Sequence, residues 1–111
     1  MPDSVLITGA SSGIGRALAI EFSRRGYALG LCARRLELLE NLQHELSRNH
    51  AVEIAELDVS QYDAVKDVLF KLAEKLGGAK IIIANAGVGE RSLPGEGTFY
   101  LDRRVIEINL L

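Results

Sequence analysis

The feature that most constrains the fold is a set of four short runs, most of them apolar on both alternations: VLIT at 5–8, ALGLCA at 28–33, AVEIAEL at 51–57 and KIIIAN at 80–85. A strand with one wet face alternates polar and apolar residues. A run apolar at successive positions reads as a strand buried on both faces, and strands of that kind belong to parallel sheets covered by helices on each side.

The segments between the runs have helical period. Ile14, Leu18 and Phe22 recur every four residues with Ala17 beside them; Leu39, Leu42 and Leu46 form a second stripe; Val65, Val68, Leu69, Leu72 and Leu76 form a third. Gly26 and the Gly77-Gly78 pair are stop signals for the first and third of these helices. Ser60 followed by Asp63 reads as an N-cap for the third. After the fourth run comes the Gly- and Pro-bearing loop GVGERSLPGEG, and a last helical pattern is expected from about Phe99 through Leu101, Val105 and Ile108. The order is therefore β-α-β-α-β-α-β-loop-α. Right-handed crossovers between parallel strands then give an α/β, doubly wound sheet of the Rossmann type, in one domain over residues 1–111.

Composition narrows the class of function. A formal net charge of −2 leaves no basic footprint for nucleic acid. The start, MPDSVLITG, lacks the basic and apolar regions of a signal peptide, and IIIA at 81–84 is far too short to span a bilayer. A single cysteine, Cys32, can form neither an internal disulfide nor a cysteine metal cluster. These readings predict a cytoplasmic protein with no membrane partner and no metal. His44 and His50 have no visible partner and are given no role.

The first strand runs into TGASSGIG, Thr8 to Gly15, which opens the first helix. This is the context that a phosphate cradle needs. Gly9 permits a sharp turn, Gly13 lets the backbone approach a pyrophosphate, and Gly15 lets the helix pack on the strand. Free N–H groups of the first helical turn, with the helix dipole behind them, then bind the anion, and Ser11, Ser12 and Ile14 line the same turn.

The spacing Thr-Gly-x3-Gly-x-Gly resembles that of the short-chain dehydrogenase/reductase family. LDV at 57–59, ANAG at 84–87 and EINLL at 107–111 stand at the family's further stations in the same order, so the resemblance runs along the whole chain. It implies an oxidoreductase that moves a hydride between a nicotinamide dinucleotide and a small carbonyl or alcohol. The end of the second strand separates NAD from NADP, because a carboxylate there accepts from ribose hydroxyls and a basic residue pairs with the 2′-phosphate. Here the strand is followed by Arg34 and Arg35, and no carboxylate comes before Glu37, so NADP is expected over NAD. By resemblance, Asp58 and Val59 flank the adenine. Asn85, Ala86 and Gly87 run past the cofactor ribose, with Ala84 in place of the family's first Asn. Asn109, in the helix after strand four, helps to hold a proton-relay water.

The family's proton-moving pair is a Tyr with a Lys four residues later. Tyr62 and Lys66, in YDAVK, have that spacing, but they open the helix after the third strand. In the order 3-2-1-4, strand three lies about 10 Å from strand one, at roughly 4.8 Å per strand, and it serves the adenine end of the cofactor. The pair is therefore read as a packing residue and a solvated charge. The family's Ser and Tyr–Lys are expected beyond Leu111, which makes 1–111 the cofactor-binding part of an incomplete domain whose full-length parent is a homo-oligomer. The alternative function is a non-catalytic dinucleotide-binding or interaction module.

Overall fold

The computed structural model describes residues 3–11, 13–48, 50–58, 62–84 and 108–110. In chain order they form β1 (Ser4–Thr8), α1 (Gly13–Arg24), β2 (Ala28–Ala33), α2 (Leu36–Leu46), β3 (Val52–Glu56), α3 (Tyr62–Lys75), β4 (Ile81–Ala84) and β5 (Ile108–Leu110). The strands make one sheet in the order β3-β2-β1-β4-β5, and every pairing is parallel. Ser60, the expected cap of α3, and the loop after β4 lie outside the described residues.

The two central strands behave as doubly apolar runs should: every residue of β1 and β2 is buried. Val5, Ile7, Leu29, Leu31 and Ile83 face Ala19 of α1 and Leu39, Leu42 and Leu46 of α2. Leu6, Cys32 and Ile82 face Leu69, Leu72 and Ala73 of α3 on the other side. Each fully buried Leu contributes on the order of 2 kcal/mol of transfer free energy, so the sheet is held from both faces. β3 is an edge, and only Val52 in it is fully buried. Its outer side is partly closed by Gln43 of α2, whose Nε2 donates to the Val52 carbonyl at 2.7 Å.

Two helices stop in the same way. After α1, Tyr27 N–H donates to Phe22 O and Gly26 N–H to Ser23 O, both at 3.1 Å, with Gly26 at φ 93°. After α3, Gly78 N–H donates to Ala73 O at 2.7 Å and Gly77 N–H to Glu74 O at 3.2 Å, with Gly77 at φ 79°. This double bond pattern closes a helix through a left-handed residue, a conformation in which a Cβ is strained. At the first stop, the Phe22 and Tyr27 rings meet edge to face at 4.9 Å, the apolar contact that accompanies the motif.

Two expectations need correction. The stripe of α1 does not centre on Ile14, Leu18 and Phe22. Its buried line is Gly15, Ala19 and Ser23, with Leu18, Ile20 and Phe22 half-buried beside it, and Ile14 is 67% exposed. Small residues let the helix axis approach the sheet closely, and the larger ones fill the flanks. The second correction concerns the last element. Ile108–Leu110 is not helical but pairs with β4, Ile82 opposite Ile108 and Ile83 opposite Asn109. β4 is therefore not an edge. The segment Ile106-Glu107-Ile108-Asn109-Leu110 alternates apolar and polar with β-branched residues, a strand pattern, and β4 offers it a row of unpaired backbone groups.

Candidate cofactor site

All five strands run in one direction, so the strand ends Thr8, Ala33, Glu56 and Ala84 lie along one edge of the sheet. β1 is followed in the chain by β2 on one side and paired with β4 on the other. The strand order thus reverses between β1 and β4, which is where ligands of such sheets bind.

Gly9 leaves β1 at φ 64°, and Ala10 N–H donates to the Cys32 carbonyl at 3.2 Å, which ties the turn to β2. Gly13 begins α1 at φ 58°, and a Cβ built there would meet nothing within 4 Å. The turn therefore leaves open space beside Gly13, at the positive end of a 12-residue helix. A concavity lined by free backbone N–H groups is the shape and charge that a pyrophosphate requires. Gly15 is buried and its neighbour Ile14 is exposed. Ser11 is half-buried in the turn, and Ser12 is outside the described residues. The hydroxyl of Thr8 is buried at the foot of this turn and has no hydrogen-bond partner among the described residues.

At the end of β2, Ala33 is buried, and Arg34 and Arg35 follow it, both exposed. The structure separates the two. Arg35 Nε donates to Glu37 Oε1 at 3.2 Å. Among the described residues Arg34 is in no ion pair, and it lines a cavity of about 370 Å³ with Glu56, Leu57, Asp58, Ala64 and Val68. Leu57 N–H donates to the Ala33 carbonyl at 2.9 Å, which sets the start of Asp58 beside Arg34. The Glu37 carboxyl is held below the usual carboxylate range, first by its own backbone N–H and then by Arg35. Reading the sequence found both arginines but missed the Glu37 partnership. An acid in the first turn of a helix, two residues after a cation, was the available signal.

Of the other expected residues, Val59, Asn85, Ala86 and Gly87 lie outside the described residues. Asn109 lies on β5 and not on a helix, next to Ile83 in register. Tyr62 and Lys66 open α3, the helix that follows β3, and β2 and β1 lie between β3 and β4; Lys66 is exposed. Cys32 is buried in β2, its thiol donates to the Ile7 carbonyl at 3.8 Å, and burial pushes its pKa up to about 12. Among the described residues no cluster of three metal-ligating side chains occurs, and no helix is long and apolar enough to cross a membrane.

The family described as short chain dehydrogenase matches residues 3–111. The chain belongs to the short chain dehydrogenase family. An uncharacterized oxidoreductase of Mycobacterium tuberculosis is 40% identical over 110 residues, 96% of this chain and 44% of the relative. This short chain dehydrogenase chain thus spans less than half the length of that relative. An alcohol dehydrogenase from the archaeon Thermococcus sibiricus, solved in complex with 5-hydroxy-NADP, matches with a TM-score of 0.74 at 40% identity, over 78% of this chain and 38% of that one. A short chain dehydrogenase/reductase from Burkholderia phymatum, solved with NAD, matches with a TM-score of 0.72 at 30% identity, over 78% and 31%. The family's doubly wound sheet is therefore the fold of this chain, with nicotinamide dinucleotides of both kinds among its neighbours.

Proposed function

We propose that the chain is the cofactor-binding part of an NADP-dependent oxidoreductase that acts on a small carbonyl or alcohol. One observation carries the reading. A left-handed glycine opens the helix after the central strand, and the next strand ends in Ala33 followed by Arg34, a cation at the position where a carboxylate would accept from an unphosphorylated ribose. NADP would supply the nicotinamide that accepts or donates the hydride. Gly9, Ser11, Ser12, Gly13, Ile14 and Gly15 would hold its pyrophosphate. Arg34 would offer its guanidinium fork to the 2′-phosphate, with Arg35 next to it in the chain, Asp58 and Val59 would flank the adenine, and Asn85, Ala86 and Gly87 would pass the second ribose. Apolar Ile14 would exclude water from the mouth of the cradle. Asn109, beside β4, is assigned the relay role by resemblance. Tyr62 and Lys66 take no part in it.

The archaeal neighbour bound to 5-hydroxy-NADP supports the choice of NADP, and the charge at the end of β2 is the argument from this chain itself. A buried, unpaired Cys32 fits a reducing, cytoplasmic setting, and homo-oligomeric assembly of the full-length protein is proposed from family resemblance. The test is Arg34→Ser, assayed by direct binding of NADPH and NADH. The variant is expected to weaken NADPH by about tenfold and leave NADH unchanged, the size of one charge-assisted hydrogen bond. Equal loss for both cofactors sinks the assignment of Arg34 to the 2′-phosphate.

A further inference from the structure

The two arginines after β2 carry the same charge, but the fold treats them differently. Arg34 lines the cavity with Asp58 and Glu56, and it is in no ion pair among the described residues. Arg35 is the N-cap residue of α2, its side chain makes no capping bond, and its Nε is engaged by Glu37 at 3.2 Å. Glu37 is itself anchored. Its carboxyl is held below its ordinary value by its own backbone N–H in the first turn of α2 and by Arg35. A carboxylate thus already stands in the first turn of α2 and engages the Nε of Arg35, an incoming anion's alternative partner.

We infer that Glu37 sets cofactor discrimination by withholding Arg35 from the 2′-phosphate, so that Arg34 alone reads it. The inference rests on the reading that the cavity beside Arg34 receives the phosphorylated ribose. Glu37 is a positioning residue here: it does not touch the cofactor, and it acts through Arg35. The Arg35 and Glu37 side chains are 70% and 63% exposed, so the tether is weak and solvent-screened. Its release strengthens phosphate binding by no more than about fivefold. A dianion placed near the free Arg35 would gain a second guanidinium, a geometry suited to phosphate oxygens.

The test is a double-mutant cycle on Glu37→Gln and Arg35→Ser, with 2′,5′-ADP and 5′-ADP as probes and their Kd ratio as the readout. These nucleotides report the adenine-ribose site without any turnover. Glu37→Gln is expected to tighten 2′,5′-ADP by about threefold and leave 5′-ADP unchanged, within the range of an exposed ion pair. In Arg35→Ser/Glu37→Gln the gain is expected to vanish, and Arg35→Ser alone is expected to change the ratio little. Unfolding curves of each variant establish that α2 is intact. An unchanged ratio in Glu37→Gln overturns the inference, as does a gain that survives without Arg35. Arg34→Ser separates the two levels. If it abolishes discrimination while Glu37→Gln has no effect, the site reading stands and the role of Glu37 falls. If it leaves the ratio untouched, both fall.

Discussion

Replacing Gly13 by Ala separates the two demands that the cradle makes on that residue. The first is conformational. Gly13 sits at φ 58°, where a Cβ costs roughly 1–2 kcal/mol, offset in part by the lower entropy of the unfolded Ala chain. No atom lies within 4 Å of the added methyl, so no packing cost is added. A net loss of about 1 kcal/mol lowers Tm by about 4 °C in a chain of this size. The second demand is ligand access. The methyl would project into the concavity and keep a pyrophosphate from the N–H groups behind it. Two lost hydrogen bonds to a charged group come to about 3 kcal/mol, on the order of a hundredfold in Kd. Gly77→Ala is the matched control: φ is 79°, nothing lies within 4 Å, and the site is at the far end of α3. Denaturant unfolding together with NADPH titration of both variants reads the two terms separately. Similar destabilisation in both, with binding lost only in Gly13→Ala, is expected. Undiminished NADPH binding by Gly13→Ala would refute the cradle.

Gly30→Ala is expected to destabilise by about 1–3 kcal/mol in the same unfolding assay, because the methyl would collide with Leu6 Cδ2 and crowd Leu76 Cδ1 at 3.2 Å, and Leu6 is fully buried. Neutral behaviour would show that α3 packs less closely on β2 than described. The Cys32 thiol keeps its proton up to about 12 in the folded chain, against an ordinary value of 9.0. Between those values the unfolded state binds fewer protons than the folded one, so stability falls as pH rises, by about 1.4 kcal/mol per unit. That slope should disappear in Cys32→Ala, and thiol reagents should label the native protein only as it unfolds; rapid native labelling would contradict the burial.

Much of the fold could be read from the chain because its strands are buried on both faces. ALGLCA coincides with β2, residue for residue, and the stripes Leu39-Leu42-Leu46 and Leu69-Leu72 are the buried lines of α2 and α3. Periodicity failed where size rather than polarity decides. The sheet-facing line of α1 is Gly15, Ala19 and Ser23, which a search for large apolar residues passes over. It failed again at Ile108–Leu110, where helical spacing and strand alternation compete over a few residues and an available strand edge decides between them. The turn after β1 was legible because glycine stands at both of its left-handed positions, Gly9 and Gly13. The Arg35–Glu37 tether was not, because a cation two residues before an acid is common on surfaces, and only the coordinates show which of two arginines it engages.

The end of β2 is proposed to read a 2′-phosphate while the turn after β1 holds the pyrophosphate. Parallel titration of the protein with NADPH and NADH at moderate salt tests it most directly. Saturable binding of both is expected, with NADPH tighter by about tenfold, the contribution of one charge-assisted hydrogen bond to Arg34. NADH binding as tightly as NADPH would contradict it.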